Sequence, residues 1–328
     1  MFLNSNNYGN FTSYKVNDIS EFLVSEYNII PREIKIYNNA MDNTVLEINQ
    51  RYIMKIYETK TKKFLQKSLK LFNQYKTFYC IELHPNKFND AISRFASKPV
   101  VLYKKAQGQI SENFIKNLQL MQDFHTSGYQ GKRILNLKKE IQNSQKRIQS
   151  YWTSNVKNRL ITDNRYKSYH IICDKLRLLK TVTMSYIVKD SWNYGIVHGD
   201  CNPQNILICK DKYKFLDFDS IRYNYQLYDL IDLLLKYTDR PDIVLEKKIL
   251  KKHYQILNKT DDFQKKYDTI NTLACYKGFE MALSTEYYCY EMHKFTEIVL
   301  HKFFITTLNR LISNVNFRLK EINNERNN

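Results

Sequence analysis

Glycine and proline are scarce, with seven and five among 328 residues. A loop-rich or all-β design draws on both for its tight turns, so the shortage favours long helices. No apolar run approaches the roughly 18–20 residues needed to cross a bilayer. The opening MFLNSNNYGNF has no basic region leading into an apolar stretch, so neither membrane insertion nor export is expected. The six cysteines, Cys80, Cys173, Cys201, Cys209, Cys275 and Cys289, contain no C-x-x-C pair and no histidine at zinc spacing. They read as buried thiols of a reducing compartment rather than a metal or disulfide framework. Acidic side chains are also few, 33 against 51 basic ones, which leaves a formal charge of +18. The basic excess is +7 over residues 1–110, +9 over 111–190 and +2 over 191–328. It consists of dispersed lysines among Asn, Ile and Tyr. With no RNP, zinc-finger or helix-turn-helix signature, nucleic acid is not an expected partner.

With 43% hydrophobic and 14% aromatic residues, the chain has material for one large domain or two lobes around a core. Its style changes near residue 110. Before that point come β-type runs at Glu33–Tyr37, Thr44–Ile48, Arg51–Tyr57, Phe78–Leu83 and Pro99–Lys105, with a predicted hairpin turn at Asn49-Gln50. One helical segment interrupts them, Lys62–Lys76, with Phe64, Leu65, Ser68, Leu69 and Phe72 on one face. Afterwards the periodicity is helical: Ser111–His125, a basic stretch Lys132–Tyr151, Tyr166–Lys189, Leu227–Tyr237, Ile243–Leu257, Asp261–Met281 and a terminal element Phe295–Ile322. Lysines 132–157 read as a solvated helical face. The spacing predicts an α+β protein, a β-rich N-lobe over residues 1–105 and a helical C-lobe over 106–328.

One segment of the C-lobe breaks its helical run. In IVHGDCNPQNILICKDKYKFLDFDS, two predicted strands, Asn205–Cys209 and Tyr213–Phe218, are joined across Lys210-Asp211-Lys212. Asp200 and Asn205 stand five apart, and Asp217 follows twelve residues later. Phosphoryl transfer calls for this chemistry. One carboxylate takes or orients the proton of an attacking hydroxyl, while a second carboxylate and an amide oxygen hold Mg²⁺ on the phosphates.

At these residues the chain resembles the aminoglycoside phosphotransferase and choline kinase superfamily, relatives of the protein kinases. His198-Gly199-Asp200 with Asn205 matches its H-G-D-x-x-x-x-N motif, and Asp217-Phe218-Asp219 its D-x-D. The resemblance implies a protein-kinase-like two-lobed fold, with ATP and Mg²⁺ as cofactors. It makes Asp200 the catalytic base, Asn205 and Asp217 the metal ligands, and His198 and Asp229 supports of the catalytic loop. Lys55 in YIMKIY stands at the phosphate-contacting strand lysine, and VLYKKAQG, with Lys104 and Lys105, resembles the adenine hinge. NLQLMQDFHTSG resembles the first C-lobe helix, whose His125 reads as a core or surface residue. The layout is closest to the CotS-type spore-coat group, which follows D-F-D with S-x-R-Y, here Ser220 to Tyr223 with Arg222. Asp219 and Arg222 carry no assigned role. The group implies a cytoplasmic mother-cell enzyme, phosphorylating a hydroxyl of a small molecule or saccharide, and assembly with other coat proteins.

Three departures bear on activity. No Glu occurs between Glu58 and Glu82, so the N-lobe helix lacks the carboxylate that pairs with the strand lysine, and Gln66 is the nearest substitute. The nucleotide loop NNAMDNTVLEI has no glycine, and AQGQ replaces an acidic residue beside the hinge. A non-catalytic coat protein of the same fold therefore stands as a second reading. An aminoglycoside or choline kinase proper is a third. For the latter, Ser284–His293 (STEYYCYEMH) offers an aromatic cage for a quaternary ammonium, against the plainer reading of helix packing.

Overall fold

A computed structural model of the chain describes residues 14–37, 43–152, 164–184, 189–237, 243–253 and 263–292, with isolated positions beyond 308. The chain divides into two compact units. The first is built mainly from Met1–Ile110 and Leu207–Ile221, the second from Ser111–Ile206 and Arg222 onward. The D-F-D segment, placed by its position in sequence within the C-lobe, thus belongs to the first unit.

In the first unit, β1 (Ile34–Tyr37), β2 (Asn43–Ile48), β3 (Tyr52–Tyr57), β6 (Lys98–Lys104) and β4 (Glu82–Leu83) form a sheet in the order β1-β2-β3-β6-β4, and β5 (Ser93–Phe95) adds to β6. Helix α1 (Val16–Tyr27), which the sequence reading did not include, packs Ile19, Phe22 and Leu23 on Leu46, Met54, Ile56 and Leu102 of the sheet. Helix α2 (Lys62–Tyr75) starts where the Thr61 side chain accepts from Phe64 N, and it buries Leu65, Ser68 and Phe72. The expected strand Phe78–Leu83 reduces to a 3₁₀ turn, Lys76–Phe78, and the two residues of β4. A second sheet runs β11 (Lys212–Phe215), β10 (Ile206–Cys209), β7 (Gln109–Ile110). Both hairpins expected from the sequence turn through two residues of positive φ, 52° and 58° at Asn49-Gln50 and 48° and 63° at Lys210-Asp211, as does the β5–β6 hairpin at Ala96-Ser97 (46° and 67°). That twist matches the right-handed twist of the strands.

The second unit contains α3 (Phe114–Ser127), α4 (Leu137–Tyr151), α5 (Asn164–Met184), α6 (Leu227–Tyr237), α7 (Ile243–His253) and α8 (Phe263–Met292). It also holds a sheet in the order β12 (Arg222–Tyr225), β9 (Lys189–Val197), β8 (Tyr129–Asn136). Two helical expectations are corrected here. The stretch Lys132–Tyr151 is a strand as far as Asn136, whose side chain then caps α4 by accepting from Lys139 N. Pairing of Lys132 to Asn136 with Asn193 to Lys189 overrides the helical spacing of Ile134, Leu137 and Ile141. The run Tyr166–Lys189 is helical to Met184 and its last residue, Lys189, opens β9, with residues 185–188 outside the described residues. The terminal element Phe295–Ile322 lies outside the described residues apart from isolated positions. Among the described residues no helix is long and apolar enough to cross a membrane.

Candidate active site

Lys55 lies in the middle of β3, paired with Val45 on one side and Val101 on the other, so its Cα is fixed by two neighbouring strands. Its Nζ lies 2.6 Å from Asp217 Oδ2 and 2.7 Å from Asp219 Oδ2, with 9% of the side chain exposed. Burial opposes its charge, but the attraction of Asp217 outweighs that cost and holds the ammonium above the ordinary lysine range. The D-F-D sequence explains how both carboxylates arrive together. Phe218, 2% exposed, packs on Phe72 of α2 and anchors the segment, while Asp219 N donates to Asp217 Oδ1 in a local turn. The two Asp side chains converge on one lysine from either side of that anchor.

Gln66 is exposed on α2, and among the described residues no hydrogen bond joins it to Lys55. The helix instead reaches this loop through Ser68, whose Oγ donates to the Asp219 carbonyl at 3.2 Å. Lys104 pairs with Glu82, and Lys105 pairs with the buried Glu47 at 2.9 Å. Both line an open cavity of about 630 Å³ with Arg51, Tyr52 and Gly108.

In the second unit the H-G-D loop hangs on Asp229, which is fully buried. Its Oδ2 accepts from His198 N (2.7 Å) and faces His125 Nε2 (2.9 Å), and its Oδ1 accepts from Gly199 N (2.8 Å). Burial disfavours its ionised form, yet the His125 contact and these donors hold its carboxyl below the usual range. Gly199 turns at φ 83°, a conformation suited to glycine. This turn presents Asp200, whose Oδ1 accepts from Asn202 Nδ2 (2.9 Å) and whose Oδ2 accepts from Asn205 Nδ2 (2.8 Å). Asn202 also caps the turn Pro203–Asn205 through Gln204 N. Asn202 and His125 are contributors that the sequence reading did not place in the site. The first is an Asn-Pro turn starter two residues past Asp200, and the second ends the helix α3 motif.

Arg222 pairs in register with Val197, just before the H-G-D loop. It lines a cavity of about 350 Å³ in the second unit, with Glu140, Arg147, Tyr225, Tyr228 and Lys277 among its walls. The acidic residue of its lining, Glu140, is engaged, as are two acids behind it that pair with lining residues. Glu140 accepts from the Tyr228 hydroxyl, Glu280 binds Arg147 and Ser144, and Asp232 faces Lys277 at 3.8 Å. Burial, with the charges of Asp229 and Asp200, pushes the Asp232 carboxyl up to about 7, against the pull of Lys277 and Arg222. The cage suggested at Ser284–His293 has a helical backbone to Met292, but its side chains from 285 onward lie outside the described residues.

Among the described residues no group of three or more His, Cys, Asp or Glu converges as a metal site. Magnesium takes one or two carboxylates and completes its shell with phosphates and water, and each unit, taken by itself, carries one oxygen donor of that kind. Asp217 keeps 29% of its side chain exposed, and the bonds of Asn205 to Asp200 use its amide nitrogen and leave its hard amide oxygen out.

Residues 33–254 match the model of the phosphotransferase enzyme family, and the chain belongs to that family. Its fold is kinase-like, as in three solved structures to which it is similar. A microcompartment-associated aminopropanol kinase superposes with a TM-score of 0.57 at 11% identity, covering 89% of this chain and 94% of its own. Spectinomycin phosphotransferase, solved with ADP and spectinomycin, gives 0.56 at 10%, covering 92% and 98%. A choline/ethanolamine kinase family protein from Mesorhizobium loti gives 0.56 at 10%, covering 90% and 93%. No curated protein sequence matches the chain.

Proposed function

We propose that this protein transfers the γ-phosphoryl group of ATP to a hydroxyl of a small molecule or saccharide. The observation that carries this reading is the setting of Asp200. It stands on a loop locked to buried Asp229, and both its oxygens accept from neutral amides, with no ion pair to it among the described residues. Such a carboxylate is oriented with no cation competing for its oxygens among the described residues, as a proton acceptor requires. In the proposed step the acceptor oxygen bonds to the γ-phosphorus as the bond to the β–γ bridging oxygen breaks. ADP leaves, and the hydroxyl proton passes to Asp200. Lys55 holds the phosphates, and the hinge backbone near Lys104 and Lys105 meets the base. Asn205 and Asp217 would hold Mg²⁺, which would supply charge neutralisation on the phosphates.

The cavity at Arg222 is the acceptor site in this reading. Because Glu140 of its lining and the two acids behind it are already engaged, it offers little to a polycation, which favours a neutral polyhydroxylated acceptor over an aminoglycoside. The basic run near residues 132–147 and the S-x-R-Y that follows D-F-D support association with a spore coat. Recovery of the protein in coat extracts of an endospore-forming host tests that assignment, and its absence from them removes it. The scaffold reading draws on the glycine-free nucleotide loop.

Thermal shift and turnover separate the readings. ATP with Mg²⁺ should raise the melting temperature by mass action on the native state. Chelation or Asp217→Ala should remove the metal-dependent part. Asp200→Asn should keep ATP binding and lower turnover by about 10²- to 10⁴-fold. No shift in the wild-type protein, or no loss of turnover in Asp200→Asn, sinks the enzyme reading and leaves the scaffold.

A further inference from the structure

The helix that should supply a counterion to Lys55 has none to give. Between Glu58 and Glu82 there is neither Glu nor Asp, and Gln66 is exposed. The other N-terminal acids near the sheet are committed elsewhere. Glu58 accepts from Thr44 and Tyr14, and Glu47 is shared by Tyr37 and Lys105. A lysine that is 7% exposed still has to be paired, because an isolated buried ammonium is costly. We infer that Asp219, the second carboxylate of the D-F-D segment, is the positioning residue of Lys55 and replaces the missing helix carboxylate.

Three observations single out Asp219 rather than Asp217. Its side chain is 3% exposed against 29% for Asp217, so Asp217 can turn to a metal ion while Asp219 stays in place. It is held from two further sides: Lys60 Nζ stands 3.2 Å from the same Oδ2, and Ser68 Oγ donates to its carbonyl at 3.2 Å. Among the described residues its Oδ1 is buried without a hydrogen-bond partner, so the polar work of this carboxylate there is to face the two ammonium groups. A buried polar atom left unsatisfied costs stability, and a purely structural aspartate has little reason to bear that cost. The contact of the helix with the site has thus moved from a side chain pairing with Lys55 to a tether on the residue that does. Ser68, on the buried face of α2, makes that tether.

This inference rests on the proposed nucleotide site. It predicts a selective loss, since Lys55 meets phosphates and not the nucleoside. Affinities of the full-length protein for ATP with Mg²⁺ and for adenosine are measured by calorimetry for wild type, Asp219→Asn, Lys55→Ala and the double variant. Asp219→Asn should weaken ATP by about 10- to 100-fold, the range for hydrogen bonds to charged groups, and leave adenosine unchanged. On the Lys55→Ala background the same change should cost little, because the two residues act as one unit. Equal losses for ATP and adenosine, or additive losses in the double variant, overturn the inference while the phosphotransferase reading stands. Absence of ATP binding in the wild type overturns both. Should Asp219→Asn fail to fold, Ser68→Ala takes its place: weaker ATP binding with adenosine spared supports the tether, and any other outcome rejects it.

Discussion

Asp229 illustrates how much one buried side chain can organise. It accepts from two consecutive backbone amides of the H-G-D loop and faces His125 from α3, all within 2.7–2.9 Å. Removing it strands three polar groups, two of them on the buried residues His125 and His198. Asp229→Ala should therefore cost about 3–5 kcal/mol, the range for breaking a buried charged pair, read by urea denaturation. Turnover should fall with it, because Asp200 loses its support. Asp229→Asn should be milder in stability yet still impair the loop, since an amide nitrogen faces at least one of those donors. A loss under 1 kcal/mol in Asp229→Ala would show that the loop is held by other contacts.

At the scale of elements, the β2–β3 turn separates two kinds of residue in the same left-handed conformation. Asn49 accepts from Arg32 N and Glu33 N and donates to Ile30 O, so its side chain staples α1's exit to the sheet. Gln50 makes one exposed contact to Glu33. Gln50→Gly should therefore stabilise the protein by up to about 1 kcal/mol by relieving positive φ, whereas Asn49→Gly should destabilise it. Opposite signs in thermal denaturation check this, and a Gln50→Gly variant that melts lower refutes it. Both hairpins, the strand of Lys55 and α6 were legible in the sequence, because alternation and helical spacing act locally. Strand β9 was not: it follows a long helical run, and its identity depends on pairing with β8 and β12, whose partners lie tens of residues away. Gly195 marks the constraint, since a Cβ there would come 2.5 Å from Gly128 O. In the site, the H-G-D, Asn205 and D-F-D positions were visible as spacing. The identity of the carboxylate serving Lys55 was not, because Lys55 and Asp217 are 162 residues apart and only the folded sheet brings that segment back.

For the molecule as a whole, Asp229 and Asp232 pull stability in opposite directions with pH. The depressed carboxyl of Asp229 contributes stability above the unfolded value near 4, and this is lost as pH falls below it. Asp232, raised to about 7, contributes fully only below the unfolded value, and its contribution disappears as pH rises through 7. Between pH 4 and 7 the folded state thus holds a proton the unfolded chain has released. Asp232 alone lowers stability there by up to about 1.4 kcal/mol per pH unit. Asp232→Asn should flatten that slope and match or exceed wild type at pH 8, measured by denaturant midpoints across the range. An unchanged slope rejects the assignment. The discontinuous make-up of the first unit also governs the order in which the molecule is made. Its residues up to Ile110 leave the ribosome well before Leu207–Ile221, and the 162-residue interval between Lys55 and Asp217 amounts to roughly 8–30 s of translation at 5–20 residues per second. During that interval the strands of the sheet are all present, but β3 displays a lysine whose counterions do not yet exist, which lowers the stability of the nascent sheet. A ribosome-arrested chain ending at residue 110 should stay protease-sensitive, and one carrying residue 221 clear of the exit tunnel should acquire protection.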